Sequence, residues 1–430
     1  MKVTALKQLS KNSYQRIVRR SLGNNADIFP AVSAIMRSVQ SNGDAAILDK
    51  YQKRYGSDTY TTVAVTPTEI AESYRKTTSA TIRALEQMRK NIFAAQSAQL
   101  PTKKDIVVKT EIGINVWREW RPIEKVGLYI PGGNAIYPSS VLMSAIPAQI
   151  AGCTELVLCS PPDKQGRMPS ATVVAADMLG IKKLYKVGGA ESIAAMTYGT
   201  DSIPAVYKIF GAGNSYVTAA KMLAFGEVAI DMPAGPSEIF IIADDTANPD
   251  YIAADLLADG EHGEDSACVL ITTSKRVAEE TITAIEKQLQ NLSTGDRARE
   301  SLRRYGLFAT VDTMDEAIAF TNMYAPEHLE IMIKNPRSIV RKIVNAGSVF
   351  VGAYTSKATG DYATGANHVL PTGGMAKMYP PLGVDAFGKW MQVQECTKQG
   401  LLAIRQTIET IADVEQLPAH KNSVSIRFME

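Results

Sequence analysis

The chain has 430 residues, of which 45% are hydrophobic, an ordinary globular composition long enough for two or three domains. Its 46 basic and 44 acidic side chains leave a net charge of +2, so no basic excess exists to hold nucleic acid and no acidic run to form a solvated tail. The longest apolar stretches, such as Val141 to Ala151, are broken by Ser144, Pro147 and Gln149 well before the roughly 20 residues of a membrane span.

The amino terminus, MKVTALKQLSKNSYQR, lacks the apolar core and small-residue cleavage site of a secretory signal, so a soluble, cytoplasmic protein is expected. Residues 1–25 read as a helical arm. Up to about residue 110 the chain is predicted mostly helical, with apolar residues at three-to-four spacing, Thr66 or Thr68 as a cap, Glu69 in the first turn and Pro101 as a stop signal. From residue 124 the pattern changes to short apolar runs, each followed by helical periodicity, the signature of βα units and a parallel sheet. VGLYI, LVLCS, LYKV and VYKIF make one series; IFIIADD, CVLITT and LFATV begin another.

The expected fold is therefore α/β, with two Rossmann-like parallel-sheet domains, an N-terminal helical segment and a C-terminal helical tail. The seam is placed in the loop IDMPAGPSE at 230–238, where Pro and Gly interrupt the units. Residues 26–125 and 238–376 are grouped as one domain, 126–237 as the other, and 377–430 as a tail without strand signals. Cys153, Cys159, Cys268 and Cys396 are too scattered for a disulfide framework and form no CxxC pair.

Several strand-to-helix turns carry glycine: Gly132–Gly133, Gly188–Gly189 and Gly211–Gly213. Such turns present backbone N–H groups at a helix amino terminus, which suits a phosphate or dinucleotide, although none completes GxGxxG and glycine also serves helix packing there. Asp259 and His262 are three residues apart at the end of a helical stretch, a spacing that fits half of a metal site and equally a solvated acidic helix end. Asp361 and His368 share a long Gly- and Thr-rich loop, of which Asp361 ranks first as a functional group. Glu327 and His328 set a carboxylate beside an imidazole after Pro326, so both serve one substrate only if the backbone turns there. Base for His328 and water activation for Glu327 are the roles their chemistry suits.

Taken together, PGGNAIYPSSVLMSAIPAQIAG, IDMPAGPSE, GEHGEDS, APEHL, GDYATGANHVLPT and LPAHKNSVSIR resemble the histidinol dehydrogenase family, in order and over nearly the whole chain. All four histidines, His262, His328, His368 and His420, fall inside these motifs. The resemblance implies a zinc-dependent, NAD-linked homodimer that oxidises L-histidinol through the aldehyde to L-histidine. By match, Asp259, His262, Asp361 and His420 are the implied Zn²⁺ ligands, Glu327 and His328 the catalytic pair, and Ser237, Glu415 and His420 further substrate contacts beside His328 and the metal ligands. Tyr129, Asn214 and the neighbouring Glu191 are the implied NAD contacts. A C-terminal tail exchanged between subunits would carry Glu415 and His420 into the partner's site. The chain departs from the family pattern at Asp259, where Gln is usual, at Glu191, where Gln follows GGA, and at Ala212, where Pro is common. These departures keep open a related dehydrogenase for another polar amino alcohol, or a metal- and ligand-binding protein without turnover.

Overall fold

The computed structural model describes residues 1–20, 27–100, 106–132, 135–233 and 235–429. Pro101, Gly133 and Ala234 of the seam loop lie outside the described residues. The strands, numbered along the chain, form three sheets. The largest is wholly parallel and runs in the order β1 (Val3–Ala5), β11 (Leu307–Thr310), β10 (Ala267–Thr272), β9 (Glu238–Ala243), β12 (His328–Met332), β13 (Ser348–Val351). A second parallel sheet runs β6 (Lys183–Tyr185), β5 (Glu155–Cys159), β4 (Lys125–Tyr129), β7 (Lys208–Phe210), β8 (Ala229–Ile230). The third is an antiparallel ribbon of β14 (Gly388–Cys396), β3 (Ile114–Pro122) and β2 (Val108–Glu111).

The two parallel sheets follow from the sequence pattern. EIFIIA and ACVLIT are near-continuous apolar runs, as strands covered by helices on both faces must be. The seam falls where expected, between β8 and β9. In the second sheet the chain starts in the middle with β4, moves outward through β5 and β6, then returns to the other side of β4 with β7. The carboxyl ends of β4 and β7 thus flank a switch point, where ligands of such sheets bind.

Three sequence expectations are corrected by long-range packing. The segment 1–25 is not only a helical arm, because Val3–Ala5 joins the edge of the first sheet beside β11 before helix Lys11–Val18. The helices Phe29–Asn42, Asp44–Tyr55, Pro67–Lys76 and Ser79–Ser97 pack on the second sheet and not on the first, with Ser79–Ser97 also touching 238–376 where Asn91 donates to the Ala363 carbonyl at 2.6 Å. Val32, Met36 and Ile47 share a core with Val157 and Ile193, and Leu85 and Ile92 share one with Val126 and Leu128. Finally, strand structure does not stop at 376, since β14 pairs along its whole length with β3 and packs Trp390 edge-on against Trp120. Thr66 caps its helix in a reciprocal box with Glu69, as the spacing suggests. No helix among the described residues is long and apolar enough to cross a membrane.

The turn after β7 is held by a buried ion pair. Lys221 reaches the Asp231 carboxylate and donates to the carbonyls of Gly211 at 2.9 Å and Met232 at 2.8 Å. Gly211 has φ of +121°, and a Cβ there would stand 2.0 Å from the Tyr129 carbonyl oxygen. Gly211→Ala is therefore expected to lower stability by about 2–4 kcal/mol through strain and overlap, read as a lower urea midpoint. An unchanged midpoint would show that β4 and β7 can separate without loss.

Candidate active site

A cavity of about 490 Å³ opens between the carboxyl ends of β4 and β7 and the amino ends of β9 and β12. Tyr129, Gly213 and Asn214 form one wall; His262, His328 and Asp361 form the other. The two halves are tied together beside it. Asn367 donates to the Met143 carbonyl at 2.7 Å, and His368 Nε2 lies 3.0 Å from the Ser140 hydroxyl. The latter pairing brings His368 to the cavity although sequence ranked it below Asp361.

His328 is the first residue of β12, and Glu327 precedes it after a left-handed Ala325 (φ 53°) and Pro326. This turn resolves the opposite-face problem, because Glu327 lies outside the extended strand. The parallel pairing of β9 with β12 sets both groups against Glu238. The Glu238 carbonyl accepts from His328 Nδ1 at 2.9 Å, while the Glu238 N–H donates to Glu327 Oε2 at 2.8 Å. With its proton on Nδ1, the ring keeps a lone pair on Nε2, which has no hydrogen-bond partner among the described residues. Burial, reinforced by the Lys357 ammonium, pushes His328 down to about 4, so the ring is neutral at pH 7. Burial, with Asp259 and Glu238 nearby, raises the Glu327 carboxyl well above the carboxylate range.

Glu238 is anchored from the amino-terminal segment. Arg20 meets both of its carboxylate oxygens at 2.6 Å, donates to the Tyr324 carbonyl at 2.9 Å and lies over the Tyr324 ring. Sequence gave no sign of this, because Arg20 and Glu238 are far apart in the chain.

Three of the four expected metal ligands converge, but on a cation of the chain itself. Asp259 lies in the last turn of helix Pro249–Gly260, and the turn that follows returns His262 to it, its N–H bonded to the Asp259 carbonyl at 3.1 Å. Asp361 is in a short helix, Lys357–Tyr362, and not in the long loop expected. Lys357, one turn before it, places its Nζ 3.2 Å from Asp259, 3.0 Å from Asp361 and 3.4 Å from His262 Nε2. Burial opposes that charge, yet Asp259 and Asp361 raise Lys357 well above its ordinary value. Burial likewise acts to raise Asp361, but Lys357 and His328 hold it below its usual range. The expected zinc does not fit this arrangement, since an ammonium stands where the donor atoms meet. Among the described residues no group of three or more His, Cys, Asp or Glu side chains is arranged to hold a metal ion. The K-x-x-x-D spacing was visible in the sequence but gains meaning only if 357–362 is helical.

Behind this cluster, Asp255 and Glu330 are buried together. Burial raises Asp255 to about 6 and Glu330 well above the ordinary value.

On the opposite wall, Tyr129 ends β4 with its hydroxyl 3.5 Å from the Gly189 N–H. A Cβ on Gly213 would meet the Val217 side chain at 2.6 Å and the Tyr129 ring at 2.9 Å, so the turn passes close to both. Asn214 caps helix Ser215–Ala224, its side-chain oxygen accepting from the N–H groups of Tyr216 and Val217. That oxygen is therefore engaged in capping. Glu191 does not border the cavity; it is buried against Lys50, with Oε1 2.6 Å from Nζ. Ser237 does border it, whereas Glu415 and His420 are exposed on the C-terminal segment and stand away from it in the single chain.

The histidinol dehydrogenase family model matches residues 18–428. Histidinol dehydrogenase of Bacteroides fragilis is 45% identical over 99% of both chains, and that of Methanocaldococcus jannaschii 41% identical over 99% of both. Among solved structures, the histidinol dehydrogenase of Elizabethkingia anophelis superposes with a TM-score of 0.90 at 40% identity, covering 97% of this chain and 96% of that one.

Two outcomes follow from the buried charges. Arg20→Met leaves the buried Glu238 side chain without its cationic partner and is expected to cost about 3–5 kcal/mol in urea denaturation; a loss below about 1 kcal/mol would show the pair to be dispensable. The depressed pKa of His328 makes folding acid-sensitive, because the unfolded ring binds a proton at about 6.5. Its contribution is complete above pH 6.5 and is lost as pH falls toward the folded value of about 4, on the order of 3 kcal/mol. His328→Gln should flatten stability over that window, and an unchanged slope would assign the acid sensitivity to other groups.

Proposed function

Because the chain belongs to the histidinol dehydrogenase family, we propose that it oxidises L-histidinol through the aldehyde to L-histidine, with NAD as the acceptor of two successive hydrides. The observation that carries this reading is His328, which borders the cavity: its Nδ1 is committed to a carbonyl, and its Nε2 has no hydrogen-bond partner among the described residues. NAD, when bound, supplies the hydride acceptor. The wall formed by Tyr129 and the Gly211–Gly213 turn fits it, since the close-packed glycines leave backbone at a helix amino terminus and at the switch point of the sheet.

In this reading His328 Nε2 removes the alcohol proton as hydride leaves the carbinol carbon. The imidazolium so formed faces Asp361 Oδ1 at 4.0 Å and Asp259 Oδ1 at 3.8 Å, which offset its charge. The same carboxylates suit the cationic amino group of the substrate. Glu327, with Oε2 held by the Glu238 N–H, takes a proton from water as it adds to the aldehyde, giving the hydrate from which the second hydride leaves. Its raised pKa makes it a stronger base than an exposed glutamate once ionised.

Glu415 and His420 complete a site only in a neighbour, and the segment that bears them supports a homodimer. Leu402, Ile411 and Val414 leave large apolar side chains exposed around it, as a tail packed against a second subunit would. All four cysteines are unpaired, in keeping with the cytoplasm.

Purified protein given L-histidinol and NAD is expected to form two NADH for each histidine. No NADH with histidinol, but turnover of another amino alcohol, would reassign the substrate. Glu327→Gln is expected to slow oxidation of supplied aldehyde at least ~10-fold more than oxidation of the alcohol, and equal losses would remove its role toward water.

A further inference from the structure

Lys357 places an ammonium in the carboxylate cluster on the cavity wall that carries His328, and the geometry around it is that of a filled site. Its side chain is 2% exposed. An ammonium has three protons, and three acceptors surround it: Asp361 Oδ2 at 3.0 Å, Asp259 Oδ1 at 3.2 Å and His262 Nε2 at 3.4 Å. The imidazole is turned to accept, because its Nδ1 is 3.1 Å from the Ala258 carbonyl and must carry the ring proton. Two helices bring the acceptors together, Asp259 from the end of one and Asp361 one turn after Lys357 in the other.

We propose that the Lys357 ammonium is the resident cation of this pocket, in place of a divalent metal, and that the enzyme binds and oxidises its substrate with no metal bound there. A zinc ion needs donor atoms about 2.0–2.2 Å away with their lone pairs aimed at one point. Here the Asp361 and His262 lone pairs meet Nζ, and Asp259 is paired with it by charge at 3.2 Å. A metal could take that point only by expelling an ammonium that these three groups hold, or by stripping its proton in a site whose two carboxylates favour the charge. The charge balance also differs from that of a metal centre. Asp259 and Asp361 with Lys357 sum to one negative charge, which the protonated amine of an amino alcohol neutralises. Recognition of the substrate then proceeds by ion pairing and hydrogen bonding to carboxylates, while Lys357 positions them. Asp361, which borders the cavity, supplies the atoms for it, while the fully buried Asp259 holds Lys357 from behind.

The proposal rests on the reading above only for the identity of the substrate, and metal binding tests it without turnover. Protein dialysed against a chelator and then exposed to cobalt(II) is expected to show no tetrahedral ligand-field absorption, and zinc titration against a chromophoric competitor no tight site. Lys357→Met frees the three donors and should raise zinc affinity about 100-fold or more, with appearance of the cobalt band. If two unpaired buried carboxylates keep that variant from folding, the double variant Lys357→Met with Asp259→Asn removes both charges, and the gain in cobalt binding is read there. With histidinol as substrate, the unaltered enzyme should keep its rate within about twofold after chelation, a change worth less than RT-scale binding energy. One tightly held zinc per unaltered chain, or a rate abolished by chelation and restored by zinc, would overturn the proposal. Failure to oxidise histidinol at all would count against the substrate and leave the cobalt and zinc results to decide the cation.

Discussion

The organisation of the catalytic wall depends on burying one positive charge. A lysine ammonium placed inside a protein carries a desolvation cost of several kcal/mol, so it persists only where carboxylates surround it. Lys357 has two, and each comes from a different helix. The attraction therefore ties helix Pro249–Gly260 to helix Lys357–Tyr362 and sets Asp259 and Asp361 next to His328. The same charge helps keep His328 neutral, because a protonated ring would face an ammonium already in place. One buried group thus reinforces the neutral state that burial imposes on His328 and fixes the position of the acids.

A second constraint acts through the backbone. Glu238 begins β9, and the register of β9 against β12 brings its peptide groups to Glu327 and His328. Its carbonyl selects the His328 tautomer and its N–H orients Glu327, while its side chain is clamped by Arg20 and by the Gly373 N–H at 2.9 Å. The clamp explains why the amino-terminal segment runs along the first sheet: β1 pairs with β11, and the chain after it delivers Arg20 to the end of helix Met314–Tyr324. The catalytic groups sit at the amino edge of this sheet, whereas the glycine turn proposed for the cofactor sits at the carboxyl edge of the other. The cavity exists because the two edges face each other, held by Asn367 on Met143 and by His368 on Ser140.

Much of this was legible from local pattern. Period and punctuation located every βα strand from VGLYI to LFATV, the seam at 230–238 and the cap at Thr66, because burial of a parallel strand and satisfaction of a helix end are written in neighbouring residues. The motifs containing Asp259, His262, Ser237, Glu327, His328 and Asp361 were recognisable by residue type, and the fold sets five of the six about one cavity with Asp259 buried behind Lys357. Other features depended on distant partners. β1 and β14 are strands because of what lies beside them, and the helices of 29–97 choose the second sheet through apolar faces that either sheet could have covered. Glu191 was placed near a cofactor by its motif, but its charge is met by Lys50 from another helix.

By itself the sequence determined the α/β class, the two series of βα units, the family and the chemical types assembled for catalysis, since each is carried by contiguous residues or by motifs in order. The tertiary structure alone decided what those groups face. Nothing within GEHGEDS or GDYATG specifies an ammonium between Asp259 and Asp361, because that contact requires two helices to meet at one point. Nor does APEHL specify which nitrogen of His328 carries the proton, which a carbonyl 90 residues away in sequence settles. Electrostatic interaction depends on distance in space, and only the folded chain sets those distances.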